Sequence, residues 1–576
     1  MVAGALMDYK EIDTDVLVLG AGGGGLRAAI EALSKGATVA VVSKSLLGKA
    51  HTVMAEGGIA AAVGNVDSKD SWEVHFSDTI VEGAYVGNWR MAEILAKEAP
   101  ERVYELERYG ALFDRTPDGK IMQRAFGAHT YRRLCHVGDK TGLELIRTLE
   151  DKILHTEGAQ ILDETFITKL FSDGRRVIGA IGFSMRTGEI IVFNAKSVIV
   201  ASGGLGRLYK VTSNSWESTG DGIALAFRIG AVLRDMEMIQ FHPTGMVWPP
   251  GVKGLLVTEG VRGEGGILLN AKGERFMLRY SPEKKELDAR DVVARAIYNE
   301  IETGNGTEHK AVYLDITSKG PAFIRKKLPA MYEQFKEFAG VDITKEKMEV
   351  APTVHYFMGG IEVEAETCRT NIPGLYSCGE AAGGLHGANR LGGNSLADIL
   401  VFGRRAGSDS AGYSKGVQLE RVSKAEIEDE IGRMNSYLKD GAESPYPLVE
   451  ELRITMSEKV GIIRNEKDLN EALNRIRGLK ERSKGIGVAG GIKFNQGFMT
   501  CFELDNMLAL AECVVMSALE RKESRGAHTR SDYPKKDRSY KLNILCRFED
   551  GKAVLGRKPI PDMPDDLARI VKEEVY

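Results

Sequence analysis

Asp15-Val-Leu-Val-Leu-Gly20-Ala-Gly22-Gly-Gly-Gly25-Leu-Arg27 decides the fold. The run Val16 to Leu19 is apolar throughout, as a parallel strand buried on both faces requires. Gly20, Gly22 and Gly25 have the spacing of a dinucleotide-binding turn. The first permits the tight turn, the second lets backbone approach a pyrophosphate, and the third lets helix pack on strand. An Ala-rich helical segment follows, its N-terminus suited to phosphate. Thr38-Val-Ala-Val-Val-Ser43-Lys44 is a second buried strand. The acidic residue that often ends such a strand to bond a ribose is replaced by Ser43, whose hydroxyl can serve instead. This weakens NAD relative to other adenine dinucleotides. The segment then reaches His51-Thr-Val-Met-Ala-Glu56-Gly-Gly58.

The rest of the 576 residues is ordinary in composition, with 43% hydrophobic and 27% charged residues, enough for several cored domains. A formal net charge of −4 leaves no electrostatic footprint for nucleic acid. The six cysteines, at 135, 368, 378, 501, 513 and 546, form no C-x-x-C pair. An iron–sulfur cluster or zinc site built by this chain alone is therefore not expected, nor any other metal site, nor a disulfide framework. The first dozen residues show no export signal, and no apolar run has the length of a membrane span. We expect a cytoplasmic protein that reaches the cytoplasmic face of a membrane only through partner subunits.

Along the chain, Ser71 to about Tyr109 reads as polar and helical, and strands are expected near Ile161 to Phe171 and Val177 to Ser184. Ser197 to Gly204 is another buried strand ending in glycines. Thr219-Gly-Asp221-Gly222 opens an Ala-rich helix, where Asp221 either caps the helix or bonds a cofactor hydroxyl. The texture changes after Phe241-His242-Pro243-Thr244. A helix around Arg290 to Glu300 and a Lys-rich helical stretch from Pro321 to about Lys347 suggest an inserted unit. Glycine-rich, buried-strand character returns at His355-Tyr-Phe-Met-Gly-Gly360 and Gly387-Ala-Asn-Arg390-Leu-Gly-Gly-Asn-Ser395-Leu396. Amphipathic helices dominate from about Lys415 to Glu523, including Lys424 to Leu438 and Leu504 to Arg521. Arg525 to Asp537 reads as a polar, basic loop, and short strands with a terminal helix close the chain.

His242, His355, Arg290 and Arg390 stand beside glycine-rich sequence or at segment junctions, and Thr258-Glu259-Gly-Val-Arg262 is a further polar cluster. Several cationic and hydrogen-bonding groups together suit a small dicarboxylate, because guanidinium binds carboxylate bidentately. Singly, each has a plainer reading: a surface arginine, a structural histidine, or a local Glu259–Arg262 ion pair of little consequence.

Taken in order over roughly the first 530 residues, these motifs resemble the flavoprotein subunit of succinate dehydrogenases and fumarate reductases. The matching segments run from Gly20-Ala-Gly22-Gly to Arg525-Gly-Ala-His528-Thr-Arg530, through Ala289-Arg290-Asp-Val-Val. The resemblance implies an α/β FAD-binding, Rossmann-like domain with an inserted α+β capping domain, then a helical domain and a small C-terminal domain. On this sequence the parts are 1–244 and 354–418 for FAD binding, 245–353 for the cap, 419–535 helical and 536–576 C-terminal. It implies FAD attached through its 8α-methyl group to His51, with a non-covalent flavin beside His51 as the alternative. Ser43 would meet the adenosine ribose. Gly20, Gly22, Gly23, Gly25, Lys44, Thr52, Gly57, Gly58, Asp221, Glu380, Ser395 and Leu396 complete the cofactor site.

By the same resemblance His242, Thr258, His355 and Arg390 hold and polarise the dicarboxylate. Arg290 is the proton donor and acceptor, with Glu259 and Arg262 as its relay, while hydride passes between flavin N5 and the neighbouring carbon. Arginine's pKa above about 12 makes such a relay necessary. Glu56 stands where dehydrogenases of the family often have Gln and fumarate reductases Glu, which leans toward fumarate reduction. The partner implied is a separate iron–sulfur subunit, linked onward to a quinone through a membrane anchor, or to thiols as in a thiol-dependent fumarate reductase. L-Aspartate oxidase is the alternative, disfavoured by His51; a flavin-bearing electron-transfer scaffold without dicarboxylate chemistry is a third reading. The chain departs from the family pattern at Asp537-Arg538-Ser-Tyr540, where Asp-Asp and a downstream Trp are usual.

Overall fold

The computed structural model describes residues 8–571, 573 and 574. Residues 1–7, part of the stretch read for an export signal, lie outside it.

The apolar run is the end of a strand, Tyr9–Leu19, with Val16, Leu17 and Val18 fully buried. It lies parallel to Val39–Val42 on one side and to Ile190–Val200 on the other. Ala159–Leu162 extends the sheet beyond Val39–Val42. The far edge of Ile190–Val200 is shared. Its first half pairs antiparallel with Val177–Ser184, which pairs in turn with Thr165–Ser172. Its second half pairs in parallel with Leu375–Ser377, nearly two hundred residues downstream. The chain thus leaves this sheet and comes back to it.

Two glycines carry the turn. Gly20 has φ +113°, where a Cβ would stand 2.3 Å from the Ala201 carbonyl oxygen. A Cβ on Gly25 would lie 1.8 Å from Gly20 O, so only glycine lets helix Gly23–Ser34 rise so close to the strand. The returning chain adds helix Asn394–Lys415 across this first helix. Gly403 and Gly407 make the approach possible: added Cβ atoms would meet Gly24 O at 2.7 Å and Ala28 O at 2.2 Å.

The intervening segment has its own core around Val257, Leu268, Phe276, Val293, Ile297, Leu314 and Phe335. Its antiparallel sheet runs Ile239–Met246, Met348–Phe357, Val312–Asp315, Ile267–Leu269. The Lys-rich stretch is shorter in helix than expected. It forms Pro321–Lys327 and Pro329–Phe338, each begun by proline, and no helix follows to Lys347. The helix Gln496–Glu520 starts eight residues earlier than its periodicity suggests. It is buried nearly all round, so it shows no amphipathic stripe.

The C-terminal hairpin, Leu542–Glu549 with Lys552–Pro559, does not fold on itself alone. It extends a five-stranded sheet through Leu233–Arg234 to Gly360–Glu362 and Ala382–Gly383. The segment read as a polar basic loop is also corrected. Arg525, His528 and Arg530 are buried, Arg525 against Glu523 at 2.7 Å, and His528 against Arg464 at 2.9 Å. Charged residues of this kind are buried only when paired: Glu523 and Asp532 pair with Arg525 and Arg530 from two residues away, while Arg464 reaches His528 from a distant segment.

Candidate active site

A single cavity runs from the glycine turn to the boundary with the inserted segment. Gly20, Gly22, Gly23 and Ser43 line one stretch; His51, Thr52, Gly57, Gly58, Glu380, Ser395 and Leu396 line another; His242, Thr258, Glu259, Arg290, His355 and Arg390 line the far end. Gly25 packs helix on strand instead, and Arg262 lies behind Glu259.

His242 and His355 sit on neighbouring antiparallel strands. The register passes from Gln240↔Tyr356 directly to Phe241↔Val354, so His355 is the extra residue of a β-bulge. Bulges re-aim a side chain, and here the ring reaches within 5.1 Å of the His242 ring, centroid to centroid. Burial and neighbouring positive charge hold both imidazoles well below the ordinary range, so both are neutral at pH 7.

Arg290 is the first residue of helix Arg290–Glu300. Its Nε donates to Glu259 Oε2 at 2.8 Å, and Arg262 Nη2 stands 3.6 Å from the same oxygen. Glu259 Oε1 accepts from Gly127 N at 2.6 Å. All three side chains are buried. Burial alone would raise the Glu259 carboxyl, but Arg262 and Arg290 outweigh it and keep the carboxylate ionised. This is no surface ion pair of small consequence.

Gln240 is the residue that sequence reading missed. Its Oε1 accepts from Arg290 Nη1 at 3.2 Å and Arg390 Nη2 at 3.1 Å. Its Nε2 donates to Asn389 Oδ1 at 2.7 Å and Arg390 O at 2.8 Å. One buried amide therefore sets the spacing of the two arginines. Its position one residue before Phe241-His242 carries no sign of that role. Burial, with Arg290 adjacent, lowers Arg390 to about 10, and its Nε has no partner in the protein. That buried donor is available to an anion.

The cavity fits an adenine dinucleotide flavin. Cβ atoms at Gly22 and Gly57 would fill it toward Ala50 at 3.2 Å and Phe126 at 2.8 Å. Buried polar atoms along it lack protein partners, namely Ser202 Oγ, Glu217 Oε2 and Glu56 Oε2. Two expected cofactor contacts have another occupation. Lys44 Nζ bonds Asp221 Oδ2 at 2.8 Å and Glu503 Oε1 at 2.7 Å. Asp221 also accepts from Thr219 Oγ1 at 2.7 Å and Asn506 Nδ2 at 2.8 Å, and its side chain caps nothing. Both line the cavity wall, yet they chiefly tie the nucleotide-binding sheet to helix Gln496–Glu520. Lys44→Ala leaves two buried carboxylates facing each other, at an expected cost of about 3–5 kcal/mol. A urea midpoint shift equivalent to less than about 1 kcal/mol would contradict this.

Comparison with known proteins agrees. The family model described as FAD binding domain matches residues 15–396, and that described as fumarate reductase flavoprotein C-term matches 449–560. A Methanothermobacter marburgensis protein, named as one of the subunits of fumarate reductase (CoM/CoB), is 46% identical, covering 96% of this chain and 100% of its own length. The chain belongs to the succinate dehydrogenase and fumarate reductase flavoprotein subunits. The Coxiella burnetii succinate dehydrogenase flavoprotein subunit is 42% identical, covering 93% of this chain and 94% of its own. The structure of Mycobacterium smegmatis Sdh1 in complex with UQ1 matches with a TM-score of 0.87 and 52% identity, covering 96% of each chain. As a flavoprotein subunit of this family, the protein is an FAD-dependent oxidoreductase, and the domain plan expected from the sequence is that of the family. Among the described residues, no helix is long and apolar enough to cross a membrane.

Proposed function

We propose that the chain interconverts fumarate and succinate, with Arg290 as proton donor and acceptor. The observation that carries this is the buried Arg290–Glu259–Arg262 chain at one end of the cofactor cavity, beside Arg390, His242, His355 and Thr258. Bound FAD supplies the two-electron exchange with the dicarboxylate. Arg390 and the two neutral histidines hold and polarise the substrate's carboxylates, which makes the alkene carbons electrophilic. The Arg390 Nε without a protein partner suits a carboxylate oxygen. Arg290 gives its proton to the carbon next to the one reduced, and a proton returns to it from Arg262 by way of the ionised Glu259, whose Oε2 lies 2.8 Å from Arg290 and 3.6 Å from Arg262. Gln240 keeps Arg290 and Arg390 apart yet convergent. Succinate oxidation runs the same steps in reverse.

We assign the cofactor contacts to Gly20, Gly22, Gly23, Ser43, Lys44, Thr52, Gly57, Gly58, Asp221, Glu380, Ser395 and Leu396, with Gly25 serving the close packing of helix on strand, and covalent attachment to His51. The capping unit spans 245–353. Burial, with Asp139 nearby, raises the Glu56 carboxyl well above its ordinary range. We read it as a neutral acid in the cavity wall, in keeping with a lean toward fumarate reduction. The electron partner is an iron–sulfur subunit. The name of the Methanothermobacter relative favours a thiol-linked source of electrons over a quinone.

The test is turnover of the purified protein. Fumarate with reduced viologen, and succinate with an oxidising dye, should both react. Failure of both defeats the proposal, and aspartate-dependent peroxide release would favour an aspartate oxidase.

A further inference from the structure

The two arginines of the site are borne by different parts of the chain. Arg290 opens helix Arg290–Glu300 in the inserted segment, and Arg390 lies beyond the strand that returns to the nucleotide-binding sheet. Their convergence on Gln240 requires that the inserted segment be held in one register against the rest of the molecule. Two like charges do not hold themselves together. Asn389 stands at this junction. It is buried, it immediately precedes Arg390, and it lies outside the cavity lining. Its Nδ2 donates to Asp291 Oδ1 at 2.9 Å, and Asp291 immediately follows Arg290. The same Nδ2 donates to Glu82 Oε1 at 2.7 Å, at the end of helix Trp72–Glu82. Its Oδ1 accepts from Gln240 Nε2 at 2.7 Å.

The chemistry of the junction selects an amide. Asp291 Oδ2 is occupied by Arg295 Nη1 at 2.8 Å, so Oδ1 is left to accept. Desolvation, with Asp291 nearby, raises the Glu82 carboxyl well above its ordinary range, yet a protonated acid keeps one accepting oxygen. Both acids therefore take an N–H. Gln240, whose own oxygen is committed to two guanidiniums, presents its N–H groups to Asn389 and needs an acceptor there. An amide meets all three demands, and a carboxylate of the same shape meets only one. The bonds of Gln240 to the arginines, at 3.2 and 3.1 Å, are at the long end of the range, whereas those of Asn389 run from 2.7 to 2.9 Å. The firm part of the junction is Asn389.

We propose that Asn389 is a positioning residue for the reaction, a latch between Asp291 and Glu82 that sets the inserted segment so that Arg290 and Arg390 converge on one dicarboxylate. It acts through the residues next to both arginines and through Gln240 between them, and it touches neither substrate nor cofactor. The inference rests on the roles given to Arg290 and Arg390 under the proposed function.

The test is Asn389→Asp in the full-length, flavin-loaded protein, which keeps the shape and removes both N–H donors. The introduced carboxyl touches Glu82 and Asp291. The cations around it are engaged elsewhere, Arg290 and Arg390 with Gln240, Arg295 with Asp291, and Lys284 with Asp288 at 3.5 Å; Glu259 is held by Arg290. The two contacting acids therefore raise it, so it keeps its proton at low pH and loses it as pH rises. Protonated, it can donate one hydrogen and still accept from Gln240; ionised, it repels Asp291 and opens the latch. Relative to the unaltered protein at the same pH, kcat for fumarate with reduced viologen should fall at least about tenfold near about pH 8 and recover in part toward about pH 6, with flavin per chain unchanged. A ratio within about twofold of unity at both pH values, or an equal loss at both, overturns the proposal. If the variant holds no flavin, Asn389→Ala decides. A kcat at least about tenfold lower with a larger solvent deuterium isotope effect supports the latch, because proton transfer from Arg290 has then become slower. An unchanged kcat or isotope effect, or loss of flavin from this variant too, overturns it. Absence of turnover with both fumarate and succinate in the unaltered protein would instead defeat the reading of the function.

Discussion

Arg290→Ala should lower turnover by roughly 10⁴-fold or more in both directions, with the flavin still bound. A positioned general acid contributes about 10²–10⁴-fold, and Arg290 also orients the dicarboxylate. The two directions share one transition state, so both must fall together. The variant also removes one of the two cations that keep Glu259 ionised against its burial. The Glu259 carboxyl therefore moves upward, and the relay loses its charged form along with its terminus. Arg290→Lys keeps the charge but loses the fork that reaches Glu259 through Nε and Gln240 through Nη1. It should recover only part of the rate. Measured kcat for fumarate with reduced viologen and for succinate with a dye, alongside flavin content, decides the matter. Turnover within about tenfold of the native protein would remove Arg290 from the reaction.

The second large effect is all or nothing. Flavin should remain on the native polypeptide through denaturation and leave completely from His51→Ala. The ring sits in the cavity wall, with Ser215 N 3.4 Å from Nδ1 and Asn214 Nδ2 3.3 Å from Nε2. Burial, helped by the positive charge of Arg390, lowers the imidazole to about 4. An uncharged ring keeps the lone pair that attachment needs. The sign of the pH dependence follows. Attachment to flavin-free protein should be insensitive to pH above about 6.5 and fail as pH falls through about 4, where the ring binds a proton. Fluorescence of the denatured chain after gel separation reads the outcome. Clean release from the native protein would leave His51 as a neighbour of the flavin only.

The nucleotide-binding half of the fold is legible because its signals are local. Val16 to Leu19 is apolar at every position, and Gly20 and Gly25 stand where any side chain would collide with backbone. Helix Arg290–Glu300 was also readable from its own residues. Helix Gln496–Glu520 was not fully readable, because burial on all sides erases periodicity. The basic segment 525–530 misleads for a related reason. Its charges look solvated until folding buries them, with Arg464 brought to His528 from a distant segment and Glu523 and the Arg521 carbonyl supplied from nearby.

The candidate site divides the same way. Its residue types follow from dicarboxylate chemistry and family resemblance, and they name Arg290, Glu259, Arg262, Arg390, His242, His355 and Thr258. Tertiary structure decides which of these touch. It makes Glu259 the shared partner of two arginines and Gln240 the spacer between Arg290 and Arg390. It ties Lys44, in the cavity wall, to Asp221 and to Glu503 of helix Gln496–Glu520. The sequence by itself determined the glycine turn, the buried strands and the chemical inventory, because steric exclusion and hydrophobic runs act within a few residues. Only the tertiary structure decided the bulge at His355 and the relay. Those depend on strand register and helix packing between residues tens to hundreds of positions apart.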